Sequence, residues 1–392
     1  MNRSESLGVF PGWDVVFLSN CNVITPSMSG GDKHFIEIAR VWRELGQELS
    51  VITPAVGKAN YELEGLTGPF RQIPFPWIDR LGIVAFYLWR GLSAFFLIPW
   101  RRRHLLMYSI SDILPDVFSA FLARLIKRRS SFWVVCVFHL IPHPRTRTGS
   151  VISNYLSYKA QRLSLKMIKI AADVVIVDNQ LLRNDLMDLG ISEQIIFKTS
   201  MGATMVNGKA TAAKYAGCFV GRLHPTKGIF ELVEIWKLVC DTLPESRLAI
   251  VGSGTDAIQA ELVRRVSEHG MNKNIDVMGY LPQQELEDVF SSSKLFLFPS
   301  HEEGFGIGIL EAMAHNLPII AYSLPHYEEI FDTALVTVGL RDVQGFAKQV
   351  LNLLSDESYR LQKAIECNAV TRRYSWVAVA QREAEAILKK MT

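Results

Sequence analysis

Apolar residues along this chain come in short uninterrupted runs, and each run gives way to a longer segment with helical spacing. In the first half the runs are Asp14–Ser19, Glu48–Thr53, Leu105–Ser109, Phe132–Phe138, Ala172–Val177 and Ile195–Thr199. A short run that is apolar at nearly every position is the pattern of a strand covered on both faces of a sheet. Helical spacing fills Lys33–Leu45, Val117–Ile126, Asn154–Ala171 and Asn179–Leu189. The second half restarts the alternation with strands Cys218–Val220, Arg247–Val251, Asn274–Met278, Lys294–Phe298 and Ile319–Tyr322. Its helices are Ile229–Thr242, Ala257–His269, Gln283–Ser291 and Ile307–His315, followed by a helical tail of Gln344–Leu354, Ser358–Asn368 and Trp376–Lys390. Residues 55–80, with several prolines and glycines, read as irregular. Strands alternating with helices predict an α/β protein built on doubly wound parallel sheets.

At 392 residues the chain has room for two domains of ordinary size, each with its own core. The small polar stretch Asn207–Lys214 is a natural linker. The expected organisation is therefore a first domain over 1–205, a second over 206–372 and a closing helical segment over 373–392.

Composition changes this picture in three places. Charge is divided unevenly: residues 1–200 hold 23 Lys and Arg against 16 Asp and Glu, whereas residues 201–392 hold 19 against 23. A basic first half suits an anionic partner, either an acceptor or membrane lipid, and equally suits plain solvated charge. Leu81–Trp100 is almost wholly apolar, but Arg90 sits in mid-span and Arg101, Arg102 and Arg103 follow at once. A charge at the bilayer centre costs roughly 2.5–3.5 kcal/mol or more, so the segment reads as a core or interfacial helix rather than a span. Residues 81–103 are accordingly a candidate peripheral contact with anionic membrane. The five cysteines show neither close pairing nor metal spacing and read as small buried hydrophobes of a reducing compartment. With an N-terminus lacking a signal peptide's apolar core, the expected setting is cytoplasmic.

The chemistry concentrates at strand ends. After Lys294–Phe298 the chain runs Pro299-Ser300-His301-Glu302-Glu303-Gly304-Phe305-Gly306-Ile307-Gly308-Ile309-Leu310-Glu311 into a helix. Glycines between strand and helix permit close backbone approach, and the first helical N–H groups carry the positive end of the dipole, which suits phosphate. Acids in such a cradle repel phosphate but accept hydrogen bonds from sugar or ribose hydroxyls. A strand–turn–helix with surface glutamates would carry similar letters. After Cys218–Val220 comes Gly221-Arg222, then Lys227-Gly228, two cations at a strand's carboxyl end that fit a diphosphate clamp. Gly252, within Gly252-Ser253-Gly254, and Tyr280 with Leu281 occupy the next two strand ends. In the first half, Gly30 and Gly31 open a helix, where a tight turn and a ligand contact are both open readings. His139 closes the Phe132–Phe138 strand, at the edge where open α/β sheets bind ligands. No Asp-x-Asp and no His/Cys metal spacing stands in a suitable place.

The run PSxxEGFGxxxLEAMA, with Glu303 and Glu311, resembles the donor-site signature of the retaining GT-B glycosyltransferases of family 4, the glycosyl transferases group 1 type. Gly221-Arg222 with Lys227-Gly228 matches that family's GR-x4-KG motif. The resemblance implies two Rossmann-like domains facing across a cleft. It implies a retaining hexosyltransferase moving sugar from a nucleoside-diphosphate sugar to an acceptor hydroxyl, in surface polysaccharide or glycolipid synthesis, with no metal required. An epimerase or hydrolase on the same fold, or a non-catalytic nucleotide-sugar-binding protein, remains an alternative. By resemblance Glu303 holds sugar hydroxyls, His139 steadies the sugar, Glu311 takes ribose hydroxyls, and Arg222 and Lys227 take the diphosphate. Gly304, Phe305, Gly306 and Leu310 line the same cradle, Gly221 and Gly252 approach the donor, Tyr280 and Leu281 border the base, and Gly30 and Gly31 face acceptor and phosphates. Two departures from the pattern are Leu140, where relatives often carry an acid, and Ser323-Leu324-Pro325-His326, where many carry a glycine pair.

Overall fold

A computed structural model describes residues 8–20, 30–146, 151–204, 206 and 213–392. Cys21, the N-terminal residues 1–7 and residues 207–212 of the expected linker lie outside the described residues. The described chain forms two compact units, one running up to Met201 and rejoined by Trp376–Thr392, the other Gly202–Ser375.

The first unit is built on β1 (Asp14–Leu18), α1 (Gly30–Glu44), β2 (Leu49–Thr53), α2 (Ala55–Leu63), β3 (Phe70–Gln72), α3 (Ile83–Leu97), β4 (Leu105–Ser109), α4 (Leu114–Ile126), β5 (Ser131–Cys136), α5 (Val151–Ala171), β6 (Val174–Val177), α6 (Gln180–Asp188) and β7 (Ile196–Lys198). Its seven strands are ordered β3-β2-β1-β4-β5-β6-β7, with every pairing parallel. Parallel pairing demands crossovers that cover both faces, which is why β4, β5 and β6 are buried at every position. Trp133, Val135, Met107 and Val16 form the centre of one core layer.

The second unit contains β8 (Gly217–Val220), α7 (Ile229–Thr242), β9 (Leu248–Val251), α8 (Asp256–Glu268), β10 (Ile275–Gly279), α9 (Gln283–Ser291), β11 (Phe296–Phe298), α10 (Ile307–Ala314), β12 (Ile319–Tyr322), α11 (Tyr327–Phe331), β13 (Val336–Val338), α12 (Val343–Ser355) and α13 (Glu357–Thr371). The six strands run β10-β9-β8-β11-β12-β13, again all parallel. The order reverses direction at β8 and β11, the switch point where open sheets of this kind place their ligand loops. The final helix, α14 (Trp376–Met391), belongs to the first unit. Trp42 Nε1 of α1 donates to the Ala380 carbonyl at 3.0 Å and Arg382 reaches Ser200 Oγ at 2.9 Å.

The structure corrects the reading of residues 55–80 as irregular: they hold α2, β3 and a 3-10 turn over Pro76–Leu81. Gly30 and Gly31 open the helix as expected, as the first two described residues of α1. Asp32, next in line, supplies an acid to the first turn and accepts a hydrogen bond from Tyr61 Oη at 3.0 Å. Both α11 and β13 are further elements without an expectation in the sequence. No helix among the described residues is long and apolar enough to cross a membrane.

Candidate active site

Four neighbouring strand ends of the second unit are joined by their loops into one rigid surface. The loop after β8 begins at Gly221-Arg222, is anchored by the buried Leu223, and closes in a 3-10 turn over Pro225–Lys227. Proline's fixed φ suits the first position of that turn, and His224 caps it by accepting from the Thr226 N–H at 3.2 Å. Gly228 then adopts φ +67°, and a Cβ there would stand 1.9 Å from the Pro299 carbonyl oxygen. On the other side, Gly252 after β9 has φ +146°, and its Cβ would stand 1.8 Å from the Gly221 carbonyl oxygen. Its own N–H donates to the Gly279 carbonyl at 2.8 Å, drawing in the end of β10 beside Tyr280 and Leu281. These glycines are required by loop-on-loop packing, which also explains them without any ligand.

Across the switch point, the loop after β11 is tied to the loop after β8 residue by residue. The Thr226 carbonyl accepts from the His301 N–H at 2.8 Å and from Ser300 Oγ at 3.3 Å. Lys227 Nζ donates to the Glu302 carbonyl at 3.2 Å and forms an ion pair with Glu303 Oε1 at 2.5 Å. Thus Lys227 of the first motif and Glu303 of the second, 76 positions apart, meet in one place. Lys227 and Glu303 keep 15% and 12% of their side-chain surface exposed, enough for a ligand to reach both. Arg222 is exposed and makes no ion pair among the described residues.

Gly306 caps α10 in the left-handed conformation at φ +95°. Gly308 comes so near β8 that a Cβ would lie 3.2 Å from the Val220 carbonyl oxygen, which sets the N-terminus of α10 beside the Gly221-Arg222 loop. The N–H groups of Ile309 and Leu310 both donate to the Gly306 carbonyl, at 3.0 and 3.2 Å. Leu310 therefore contributes its N–H to the helix and its side chain to the core, where it is fully buried. Ile307 and Gly308 are the first-turn residues whose N–H groups bond nothing among the described residues. Phe305 is 4% exposed and packs edge-on to Phe331 and Tyr374, so it fixes the loop from beneath. Gly304 sits between it and Glu303, and Glu311 lies half-buried one turn further along α10.

The electrostatics follow from this clustering. Burial first, then the positive charges of Arg222 and Lys227, hold the His224 imidazole below its usual range, with Glu302 opposing. Tyr327, 2% exposed at the start of α11, has its phenol pushed well above the usual range by burial and then by the Glu303 charge. Tyr327 Oη and His326 Nε2 are buried and have no hydrogen-bond partner. In the sequence this stretch stands out as a departure from a glycine pair; a polar pair followed by two acids at a strand end is the signal that could have marked it.

In the first unit, His139 is exposed and follows β5. Its carbonyl accepts from Gln161 Nε2 at 2.8 Å, and Gln161 Oε1 accepts from the Ile141 N–H at 2.8 Å, so α5 holds the loop bearing the imidazole. Gly30 and Gly31 open α1 at the carboxyl end of β1. Among the described residues, no group of three or more His, Cys, Asp and Glu could hold a metal ion.

Residues 209–371 match the family model described as Glycosyl transferases group 1. The chain is 26% identical over 159 residues to the O-antigen chain mannosyltransferase B of Escherichia coli, covering 40% of this chain and 42% of that protein. It is 29% identical over 169 residues to the D-inositol 3-phosphate glycosyltransferase of Corynebacterium glutamicum, covering 41% and 40%. The matched part thus spans less than half the length of these relatives. Anabaena HepE, solved in complex with UDP and glucose, superposes over 96% of this chain and 99% of its own with a TM-score of 0.73 at 17% identity. The two-sheet architecture is the GT-B fold.

Proposed function

We propose, from the premise that residues 209–371 form a Glycosyl transferases group 1 domain, that this protein moves a hexose from a nucleoside-diphosphate sugar to an acceptor hydroxyl with retention of configuration. The observation that carries the reading is the meeting of Lys227 and Glu303 beside the unpaired cation Arg222 and the first turn of α10. As the sugar–oxygen bond breaks, negative charge gathers on the departing diphosphate, and donors already aimed at it supply the largest catalytic term. Arg222 offers a planar fork, Lys227 a mobile point charge, and Ile307 and Gly308 their N–H groups. In the resting site Lys227 is held by Glu303. A diphosphate beside Arg222 competes for that ammonium, and Glu303, released, accepts hydrogen bonds from sugar hydroxyls. Glu311 takes ribose hydroxyls, Tyr280 and Leu281 border the base, and His139 steadies the sugar from the first domain. The leaving phosphate receives the acceptor's proton. The two cations do the work a metal ion would otherwise do, so chelation leaves turnover unchanged.

The similarity to an O-antigen mannosyltransferase and to an inositol-phosphate glycosyltransferase supports surface polysaccharide or glycolipid synthesis as the setting. The test is nucleotide release measured with and without acceptor, after a thermal-shift screen of UDP-, GDP- and ADP-sugars has identified the donor. Acceptor-dependent release is the expected result. Release at the same rate without acceptor would mean a hydrolase, and binding without turnover would mean a nucleotide-sugar-binding protein.

A further inference from the structure

The helix α3 is amphipathic the wrong way round for a helix facing water. Its buried residues are Arg90, Gly91, Ser93 and Ala94. Its exposed side carries Val84, Leu88, Leu92 and Phe96 at one-turn intervals, 56, 56, 42 and 73% exposed, and Leu81 and Trp77 continue the stripe at 67 and 58%. A surface helix ordinarily turns such a row toward the core and its charge toward solvent. The inversion is held in place by bonds. Arg90, 2% exposed, pairs with Asp79 at 2.6 Å, donates to the Asn20 carbonyl at 2.6 Å and lies 4.3 Å over the Phe86 ring. Gly91 lets α4 approach so closely that a Cβ would meet Phe118 at 3.1 Å.

Charge around the stripe is predominantly positive. Residues 66–111 contain six arginines and one acid, Asp79, which is the partner of buried Arg90. Arg71 donates to the Leu97 carbonyl at the helix's end, and exposed Arg101, Arg102 and Arg103 follow. Lys127 donates to the Arg102 carbonyl at 2.6 Å, which brings the second basic cluster, with exposed Arg128 and Arg129, to the same place. Asp14 contacts Arg102 at 3.4 Å and is the acid paired with this cluster.

We propose that this face of the first unit docks on an anionic lipid bilayer, with the α3 stripe seated at the headgroup boundary and the arginines on lipid phosphates. A fifteen-residue helix rises about 22 Å, too short to cross the roughly 30 Å hydrocarbon layer, so α3 lies on the membrane. The basic rim selects a lipid surface over a second copy of this chain, because an isologous contact would set these arginines against their own equivalents.

The test is flotation of the full chain with vesicles of equal parts phosphatidylcholine and phosphatidylglycerol, and with phosphatidylcholine alone. Binding to the anionic vesicles alone is expected, falling as salt is raised. Leu88→Glu with Phe96→Glu should abolish it without lowering Tm, since both side chains already face solvent. Replacing Arg101, Arg102 and Arg103 by Ser should weaken partition about a hundredfold. Ile365→Glu, an equally exposed apolar residue on α13, should change nothing. Absence of flotation, flotation of the Leu88/Phe96 variant equal to that of the parent, or a dimer in solution that this variant dissolves while vesicles bind neither, would each overturn the proposal.

Discussion

Two polar clusters, one in each unit, put a glutamate to opposite ends. In the second unit Lys227 and Glu303 face each other at a sheet's carboxyl edge, partly exposed, with Arg222 unpaired beside them. In the first unit Glu383 of α14 is fully buried against His34 of α1, whose Nε2 lies 2.7 Å from Glu383 Oε1. Tyr108 Oη donates to the other carboxylate oxygen at 3.0 Å, and Thr199 Oγ1 donates to the first. Every oxygen of that carboxylate is occupied by the protein. A charged group sealed and saturated in this way fixes an element in place. One left half-open, with a spare cation at hand, is free to exchange its partner for a ligand.

If the contrast is right, removing each acid should fail differently. Glu383→Ala strips α14 of its buried anchor and should cost about 3–5 kcal/mol of stability, read from the urea midpoint and from faster amide exchange along α14. A loss below about 1 kcal/mol would place Glu383 among ordinary surface contacts. Glu303→Gln should leave the midpoint nearly unchanged and lower turnover by roughly 10²–10³, with little loss of affinity for the free nucleoside diphosphate. Lys227→Ala should weaken that affinity in the presence of a chelator. Equal losses of turnover and diphosphate affinity in the Glu303 variant would refute its assignment to the sugar.

How much of this was legible in the sequence depends on how the signal is carried. The buried strands were plain because a parallel strand covered on both faces must be apolar throughout, as Leu105–Ser109 is. The edge strand β3 left no such mark: Arg71 and Gln72 are exposed, and the strand exists through backbone pairing with β2. The helix α2 buries only Gly57 and Tyr61, too little to impose a period. The donor-side cluster was legible because each half of it is a contiguous motif. The His34–Glu383 contact spans 349 positions, and nothing local to either residue announces the other. Glycine was the ambiguous letter. The resemblance brings Gly252 close to a donor, yet this glycine is already required by the neighbouring Gly221 carbonyl. Arg90 was legible as an obstacle to membrane insertion, while its partner Asp79, eleven residues earlier across a turn, was not.

The first unit also carries acids that sharpen the contrast through pH. Burial pushes the Asp116 carboxyl up to about 7, against the hydrogen bonds it accepts from Ser111 Oγ and the Asn20 N–H. Burial likewise raises Asp178 to about 7, with His34 opposing. A carboxyl whose folded value lies above its unfolded one contributes stability that is complete below about 4 and is lost as pH rises through about 7. Stability measured in urea should therefore decline from pH 5 to pH 8, and Asp116→Asn, which cannot ionise, should flatten that slope by on the order of 1–3 kcal/mol across the interval. A parent protein whose midpoint is level over this range would show that these acids ionise freely.

The smallest expected effect concerns Tyr327, where the open cluster borders on the core. Its hydroxyl is buried, lies in the field of Glu303 and bonds nothing in the resting site. A buried unpaired hydroxyl costs about 1 kcal/mol or more, so Tyr327→Phe should raise stability by roughly that amount if the group does nothing else. If instead the hydroxyl finds its partner when Glu303 lets go of Lys227 and turns to the sugar, the same variant should gain stability and lose turnover together. That paired outcome marks strain kept for use, since a merely imperfect core would give the first change without the second. Donor KM and kcat for Tyr327→Phe, measured beside its urea midpoint, separate the two: unchanged kinetics in a stabilised protein would confine Tyr327 to packing.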